Sequence, residues 1–254
     1  MNAHLGLKKP SVQPMPTQLS CEACPAFELN LCQAACEAAW ACPGSKPLPV
    51  YQTEHTVPAR RTICREHDLQ DSVPIICSGW AASIMMLSDG SRQILSFLLP
   101  GDIVSTALLF EARPHCLVEA ITDVRYRNFK RAELKQLLFA HPDLLDKLSK
   151  AWIEEKMRAD QLIVDLGRRT ADERIARLIL SLADRLAKRT MAQGDPMEFD
   201  FPLRQHHIAD ATGLTPVHVS KVLSEFRRNG LIRISERSLS ILDQTGFRRV
   251  ANMR

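Results

Sequence analysis

Cysteines are the residues of this chain whose type and spacing most directly imply chemistry. Five of the eight fall within residues 21–42, namely Cys21, Cys24, Cys32, Cys36 and Cys42. Two residues separate Cys21 from Cys24, a common pair geometry for thiolates that bind zinc or an iron–sulfur cluster. The start of the sequence lacks a hydrophobic signal core, so a disulfide framework is not expected. The arm therefore predicts metal binding, a metal cluster or thiol redox chemistry.

The remaining cysteines lie in a different context. Cys64 and Cys77 fall in apolar strand patterns, which predicts that both are buried core residues. Cys116 precedes another such strand.

A second set of polar side chains lies in residues 208–223, which predict two short helices joined by a tight turn. Gly213 can end the first helix, Thr215 can cap the second, and Pro216 fits its first turn. One side is apolar, and the other presents His218, Ser220 and Lys221; the apolar side comprises Ala211, Leu214, Val219, Val222 and Leu223. This plan is typical of a DNA-binding helix-turn-helix, the alternative being a helical hairpin within a core.

Composition and charge agree with a globular DNA-binding protein. Hydrophobic residues make up 45% of the chain and charged residues 24%, and no apolar run is long enough for a membrane span, so a cytoplasmic location is expected. Residues 203–254 hold nine Lys and Arg against four Asp and Glu. This excess places positive charge on the segment that would meet phosphates.

The elements that must position these residues predict an α+β chain. Residues 1–47 form the cysteine-rich arm, and residues 48–142 predict a cupin-like β-roll. Asp89-Gly90 and Pro100-Gly101-Asp102 provide turns between its strands. The predicted strands are Val73–Cys77, Ala81–Leu87, Gln93–Leu99, Leu117–Ile121 and Val124–Phe129.

Helical periodicity begins after Arg131, and His141-Pro142 interrupts it. A long helix over residues 143–168, starting at Pro142 or Asp143, then carries a coiled-coil-like seam that predicts pairing with a second copy. The seam consists of Ile153, Met157, Asp160, Val164 and Gly167. Asp160 could set the register of pairing or make pairing depend on charge, but it is expected to lie beside the seam, in solvent.

Residues 169–254 predict a winged helix-turn-helix. Thr170 and Glu173 form a capping box for the helix that leads into it. The two helix-turn-helix segments are Gln205–Thr212 and Pro216–Asn229, the second ended by Gly230. Short strands are predicted at Phe199–Leu203 and, as the wing, at Leu231–Ile234 and Ser238–Leu242.

Three stretches together resemble the CRP/FNR family of bacterial transcription regulators. Gly79-Trp80, residues 87–95 and residues 97–102 are similar to its sensor roll. Residues 169–176 are similar to its junction between dimer helix and DNA domain, and residues 213–223 to its recognition motif. The resemblance implies a homodimer that binds a palindromic operator in double-stranded DNA and acts together with RNA polymerase.

The resemblance also assigns roles in DNA reading. Lys221 lies where the family has an arginine that contacts guanine, and Ser220 where the FNR branch has a serine that contacts a base edge. Val217 replaces a glutamate that accepts from cytosine, so the FNR half-site is not assumed; valine can touch a thymine methyl instead. His218 is expected to reach a base or a phosphate. Expected phosphate contacts are Thr215, Arg227 and Arg228.

For the signal, the FNR branch implies an oxygen-sensing four-iron (4Fe-4S) cluster, here on Cys21, Cys24, Cys32 and one of Cys36, Cys42 or Cys116. The match is partial, because the third cysteine comes later here and Arg127 stands at the family's roll ligand. Zinc, thiol redox chemistry and an effector with no metal stay open. Cyclic AMP is not expected, because the family's glutamate and Arg-Ala pattern is missing from residues 103–114, although Arg113 lies there.

Two other classes of protein compete with a regulator. An enzyme is not expected, because the chain has no P-loop, Gly-x-Ser-x-Gly or His-Glu-x-x-His motif, and His206-His207 read as solvated or phosphate-facing. A redox enzyme that uses the cysteines would reveal itself by turning over a thiol. A cyclic-nucleotide-type binding module whose helices bind proteins would not retard any genomic DNA fragment in a gel mobility-shift experiment at low salt. Neither accounts for recognition helix and wing together.

Overall fold

A computed structural model describes residues 53–66, 70–111, 113–190 and 197–253. The five arm cysteines therefore lie outside the described residues, and the metal or redox chemistry predicted for them stays a prediction. Within the described ranges, no helix combines the length and apolarity that crossing a bilayer requires.

The N-terminal half of the described chain is an antiparallel β-roll of two sheets. One sheet has the order β1-β7-β3 and the other β2-β6-β4-β5. The strands are β1 Thr53–Val57, β2 Thr62–Cys64, β3 Ser72–Ser78, β4 Ala81–Met86, β5 Arg92–Leu98, β6 Leu117–Ala120 and β7 Val124–Lys130. The roll and five predicted strands are confirmed to within one residue at each end, whereas β1 and β2 were not predicted.

Gly79 makes the connection between β3 and β4 possible. Its φ is +85°, and a Cβ at this position would collide with the carbonyl of Asp123. Only glycine meets both conditions at low energy. The turn brings Trp80 under the sheet, where its backbone N–H donates to Thr122 Oγ1 at 2.9 Å.

Three helices follow the roll, namely α1 Arg131–Ala140, α2 Pro142–Arg168 and α3 Ala171–Thr190. His141 has extended backbone between α1 and α2, and Pro142 begins α2, as the sequence predicts. The predicted capping box is confirmed: the Thr170 N–H donates to Glu173 at 2.8 Å, and the Glu173 N–H donates to Thr170 Oγ1 at 3.4 Å. A 3₁₀ turn at Thr106–Leu109 lies within the roll.

The C-terminal part is a winged helix-turn-helix. It comprises α4 Gln205–Thr212, α5 Pro216–Arg228, α6 Gln244–Val250 and a sheet of order β8-β10-β9, with β8 Met197–Asp200, β9 Ile232–Ser235 and β10 Ser238–Ile241. The sequence missed α6. The predicted strand Phe199–Leu203 was wrong in its bounds. The strand runs from Met197 to Asp200 and stops before Pro202, which has no N–H to donate, although Phe201 and Leu203 are buried.

Two hydrophobic clusters hold these parts together. One fills the roll and reaches α1 and the start of α2, where Leu144 and Leu148 are buried. The other joins roll residues such as Trp80, Ile94 and Phe97 to α3 and the helix-turn-helix. The helix-turn-helix part therefore shares a core with the roll.

The structure corrects one prediction about the cysteines. Cys64 is buried, as predicted, with 2% of its surface exposed, but Cys77 is only half-buried. The register between β3 and β7 shifts at this point, between Ile76 and Ser78. This bulge leaves Cys77 out of the alternation that would have turned it inward.

Candidate nucleic-acid interface

The turn between α4 and α5 fixes the angle of the second helix. Gly213 takes the left-handed conformation (φ +65°), in which its N–H donates to the Ala209 carbonyl. Thr215 then caps α5, because its Oγ1 accepts from the His218 N–H at 3.2 Å. The predicted stop and start signals of the motif are confirmed.

One side of α5 is buried and anchors the helix. Val219, Val222, Leu223 and Phe226 each have less than a tenth of their surface exposed. Leu214, in the turn, is partly buried and packs against the same core. Because these side chains are packed into the core, α5 holds a fixed position within its domain.

The other side of α5 is available to a partner. Val217 is 77% exposed, and His218 and Lys221 are also exposed, whereas Ser220 is half-buried. Ser224 Oγ donates to the Ser220 carbonyl at 2.8 Å, so the Ser220 hydroxyl itself is not used in that bond. The structure thus brings Val217, Ser220 and Lys221 together along the first two turns of the helix.

The predicted phosphate contacts lie at both ends of this face. Thr215, Arg227 and Arg228 are exposed. The Arg227 guanidinium donates to Ser224 Oγ at 3.0 Å, and that of Arg228 lies 4.0 Å from Glu225. Neither contact buries the charge, so both guanidinium groups can pair with phosphate oxygens.

The start of α4 adds polar groups that sequence reasoning missed or misplaced. Arg204, Gln205 and His206 are exposed, and Gln205 and Pro216 line a groove that leads to the outward face of α5. His207 was predicted to face solvent or phosphate, but it is half-buried, and its Nδ1 accepts from the Arg204 N–H at 3.1 Å. Burial and the neighbouring cations lower the pKa of His207 to about 4.

Side-chain bonds connect α4 and α3 to the roll. Arg92 on β5 lies 3.3 Å from Glu119 and 3.8 Å from Asp210 on α4. On α3, Arg185 donates to the Phe97 carbonyl at 2.9 Å and to Asp102 Oδ2 at 2.6 Å. These contacts fix the orientation of the helix-turn-helix relative to the roll.

The predicted seam of α2 is an exposed apolar face. Ile153 is 58% exposed, Met157 65% and Val164 45%, and Ile163 adds to them. Asp160 forms an ion pair with Lys156 on the helix surface. An apolar stripe of this kind is what a paired helix buries.

The roll offers little for a metal. Cys116 is half-buried and lies 2.9 Å from Ser83 Oγ, and burial raises the pKa of its thiol. Arg127, at the position of the family's roll ligand, pairs with Glu54 at 3.1 Å, and a guanidinium does not ligate iron. Within the described ranges, no three His, Cys, Asp or Glu side chains are grouped so as to hold a metal ion.

Residues 103–114, where the family's glutamate and Arg-Ala pattern is missing, turn several apolar side chains inward. Val104, Leu108 and Leu109 are buried, and Arg113 is exposed rather than turned toward the roll interior. Asp102 is engaged by the Leu99 N–H and by Arg185.

Two family models match this chain. A Crp-like helix-turn-helix domain covers residues 173–250, and a cyclic nucleotide-binding domain covers residues 54–141. The second match covers the roll, so it agrees with the fold and names no bound nucleotide for this chain.

Curated relatives and a solved structure agree with these matches. The nitrogen fixation regulation protein FixK of Bradyrhizobium diazoefficiens is 32% identical over 72% of this chain and 75% of its own length. The transcriptional activator protein FnrL of Cereibacter sphaeroides is 30% identical over 69% and 71%, respectively. The structure of FixK2 from Bradyrhizobium japonicum aligns with a TM-score of 0.69 at 28% identity, covering 78% of this chain and 96% of that one.

Proposed function

We propose that this chain, which belongs to the CRP/FNR family of transcription regulators, binds a two-fold symmetric DNA operator as a homodimer. The observation that carries the proposal is the outward face of α5, whose opposite side is locked into the core. A helix presented in this way fits the major groove of B-DNA.

Within this proposal, Lys221 reads the sequence most strongly. Its exposed ammonium can donate to guanine O6 or N7, although without the planar fork of an arginine. Ser220 can contact a base edge, and Val217, the most exposed of the three, can pack on a thymine methyl. The expected half-site therefore combines a guanine with a neighbouring thymine. A cytosine is not selected at the Val217 position, because no carboxylate is present there to accept from its N4.

The phosphate contacts are proposed for Thr215, Arg227 and Arg228, with His218 at a base edge or a phosphate. Thr215 uses an oxygen lone pair in its cap, so its hydroxyl hydrogen remains available to a phosphate oxygen. These contacts set the register of α5 without reading the sequence.

Pairing of two α2 helices places two α5 helices in successive major grooves. The apolar face with Ile153, Met157 and Val164 supports this arrangement, since its burial against a second copy removes large apolar side chains from water. A dimer on a promoter would act through RNA polymerase, which we propose as its protein partner.

The operator can be recovered by selecting bound sequences from a random duplex library with the wild-type protein. We expect a palindrome with half-site centres about 10 base pairs apart. Lys221→Ala should weaken binding to it by about 1–3 kcal/mol and relax the preference at one position of each half-site. Arg228→Ala, as a control, should weaken all duplexes alike. A selection that returns no palindrome contradicts the proposal.

For the signal, we keep the cysteine chemistry that the sequence predicts: a cluster on Cys21, Cys24, Cys32 and one of Cys36, Cys42 or Cys116, with zinc, thiol redox and a metal-free effector as alternatives. The Ser83 contact of Cys116 and the Arg127–Glu54 pair support a ligand set drawn from the arm itself. Anaerobic purification followed by iron and zinc analysis tests this. A colourless, iron-free protein contradicts the cluster.

A further inference from the structure

A groove lies between the helix-turn-helix and the wing strand β9. It is open to solvent, has a volume of about 510 Å³, and is lined by the segment after β8, by α4 and α5, and by β9. We call it the wing groove and define it by Phe201, Leu203, Arg204, Leu223, Arg227 and Ile234. This volume lies within the range of small-molecule sites in proteins.

The floor of the wing groove is apolar and belongs to the core. Phe201, Leu203 and Leu223 are buried, with at most 9% of their surface exposed, and Ile234 is half-buried. The groove gives a ligand access to the edges of these side chains. A ligand with an apolar body would therefore remove hydrophobic surface from water when it binds here.

The wing sheet holds the walls of the groove at a fixed spacing. β10 lies between β8 and β9, and its Leu239 is paired with Phe199 on one side and with Ile234 on the other. Leu231, between α5 and β9, is tied to the same sheet, because its carbonyl accepts from the Leu242 N–H at 2.8 Å. The groove is therefore formed before a ligand arrives, which lowers the ordering cost of binding.

The rim of the wing groove is cationic. Arg204 and His206 are exposed at the start of α4, and Arg227 is exposed in the last turn of α5. Arg227 donates to Ser224 Oγ at 3.0 Å, and within the part of the chain that the structure describes neither Arg204 nor Arg227 forms an ion pair. Among the described residues that line the groove, none is acidic. A carboxylate at the rim would meet two guanidinium groups that no carboxylate neutralises.

The neighbouring groove along the outward face of α5 has a different character. Lys221 and Val217 line it together with Glu225, whose carboxylate lies 4.0 Å from the Arg228 guanidinium. A carboxylate is therefore already present beside the cations of that groove. Of these two grooves, the wing groove is the one that combines an apolar floor with an unneutralised rim.

We propose that the wing groove binds a small organic carboxylate with an apolar body, and that this ligand displaces DNA. The carboxylate pairs with Arg204 and Arg227, while the apolar body lies on the floor. Displacement rests on the proposed function, because the ligand competes with a phosphate oxygen for Arg227. Binding of the ligand itself requires no DNA.

Titration calorimetry of the full-length protein without DNA tests the site, with sodium 1-naphthoate as the probe. We expect saturable binding with a dissociation constant on the order of 0.1 mM, which is ordinary for a ligand of this size. Sodium acetate keeps the charge without the apolar body, and 1-naphthalenemethanol keeps the body without the charge. Both should bind at least about tenfold more weakly. Equal binding of either compound overturns the proposal.

Variants locate the bound naphthoate. Arg204→Gln and Arg227→Gln should each weaken its binding about tenfold, whereas Arg204→Lys should retain most of it, because the cation remains. Arg228→Gln is the matched control: it removes the same charge from the residue next to Arg227, which does not line the wing groove, and it should leave the affinity unchanged. Wild-type affinity in both Arg204→Gln and Arg227→Gln would place the ligand elsewhere and overturn the site.

Fluorescence anisotropy with the selected operator tests displacement. Naphthoate at about ten times its dissociation constant should weaken operator binding by at least about tenfold, and the same concentration of 1-naphthalenemethanol should have no effect. Unchanged operator affinity in saturating naphthoate would overturn the displacement. If wild type does not prefer the operator to a random duplex, the proposed function fails, whereas the calorimetric result still decides whether the wing groove binds a carboxylate.

Discussion

At the scale of single residues, Val217 is the position where this chain departs from the glutamate that the family resemblance implies. The valine side chain can neither accept nor donate a hydrogen bond. It therefore favours apolar contact and disfavours base edges whose donors or acceptors would be left without a hydrogen bond. Val217 is 77% exposed, so its side chain is accessible for the thymine contact that we propose.

Val217→Glu should change the selected half-site. The new carboxylate can accept from a cytosine N4, so we expect a C·G pair to replace the thymine position, with about 1–3 kcal/mol of discrimination. Selection from a random library measures this, and Val217→Thr, which keeps the methyl contact, is the matched control. An unchanged half-site would show that this residue does not reach the bases.

His207 gives the fold a dependence on pH. Its pKa is lowered to about 4 from the ordinary 6.5, chiefly by burial and then by the adjacent cations, so the folded state holds the neutral ring. The neutral ring also accepts the Arg204 N–H. Above pH 6.5 the ring is neutral in both states and nothing is lost, whereas stability falls as the pH drops from about 6.5 to about 4.

We therefore expect the free energy of unfolding of His207→Gln to decrease less than that of wild type as the pH falls. The ring is partly exposed and solvent screens it, so the pH-dependent loss due to this residue should be about 1–2 kcal/mol between pH 7 and pH 4. Urea unfolding at both pH values measures it. His218→Gln, a change at an exposed ring, should keep the wild-type slope, and equal slopes for both variants would contradict the assignment.

At the scale of elements, the sequence predicted what local physics determines. The capping box at Thr170 and the left-handed Gly213 are decided by a few neighbouring residues, and α2, α4 and α5 therefore begin and end close to the predicted positions. Strands β1 and β2 were missed, because β1 is largely exposed and carries no apolar alternation.

The features that the sequence did not predict depend on contacts between residues far apart in the chain. The half-burial of Cys77 depends on a bulge opposite β7, and the role of His207 depends on its contact with the Arg204 backbone and on cations that a distant turn supplies. The outward direction of Val217 and Lys221 followed from helix periodicity, but the contact of Arg92 with Asp210 on α4 requires the folded roll. Local patterns contain none of these contacts.

The exposed face of α2 predicts how dimerisation fails. Met157→Glu places a charge in the centre of the stripe, where pairing would desolvate it, so we expect the dimer dissociation constant to rise about a hundredfold. Ala151→Glu is the control, since Ala151 is exposed and lies about 120° around the helix from Met157. Analytical ultracentrifugation distinguishes the two. Equal association of both variants would place the interface elsewhere.

At the scale of the whole molecule, roll and helix-turn-helix behave as one folding unit. They share a hydrophobic cluster, and Arg185 bonds the Phe97 carbonyl and Asp102 across the junction. A signal that shifts β4 or β5 must therefore act on α3 and α4, because their side chains are interlocked.

We expect a single thermal transition for the wild-type protein. Arg185→Gln should lower its stability by about 1–3 kcal/mol, because Asp102 then loses a charged partner in a half-buried position. Differential scanning calorimetry measures this, and Arg249→Gln, at an exposed position, should have little effect. Two separate transitions in wild type would show that the halves fold independently.

The shared core also bears on how the protein can be divided. A fragment that begins at Ala171 keeps the recognition helix and wing, yet it leaves bare the side chains of α3 and α4 that Trp80, Ile94 and Phe97 cover in the intact chain. Uncovered apolar area of this kind promotes self-association. We therefore expect such a fragment to self-associate. In the intact chain, the roll keeps the DNA-reading domain soluble by covering this apolar surface.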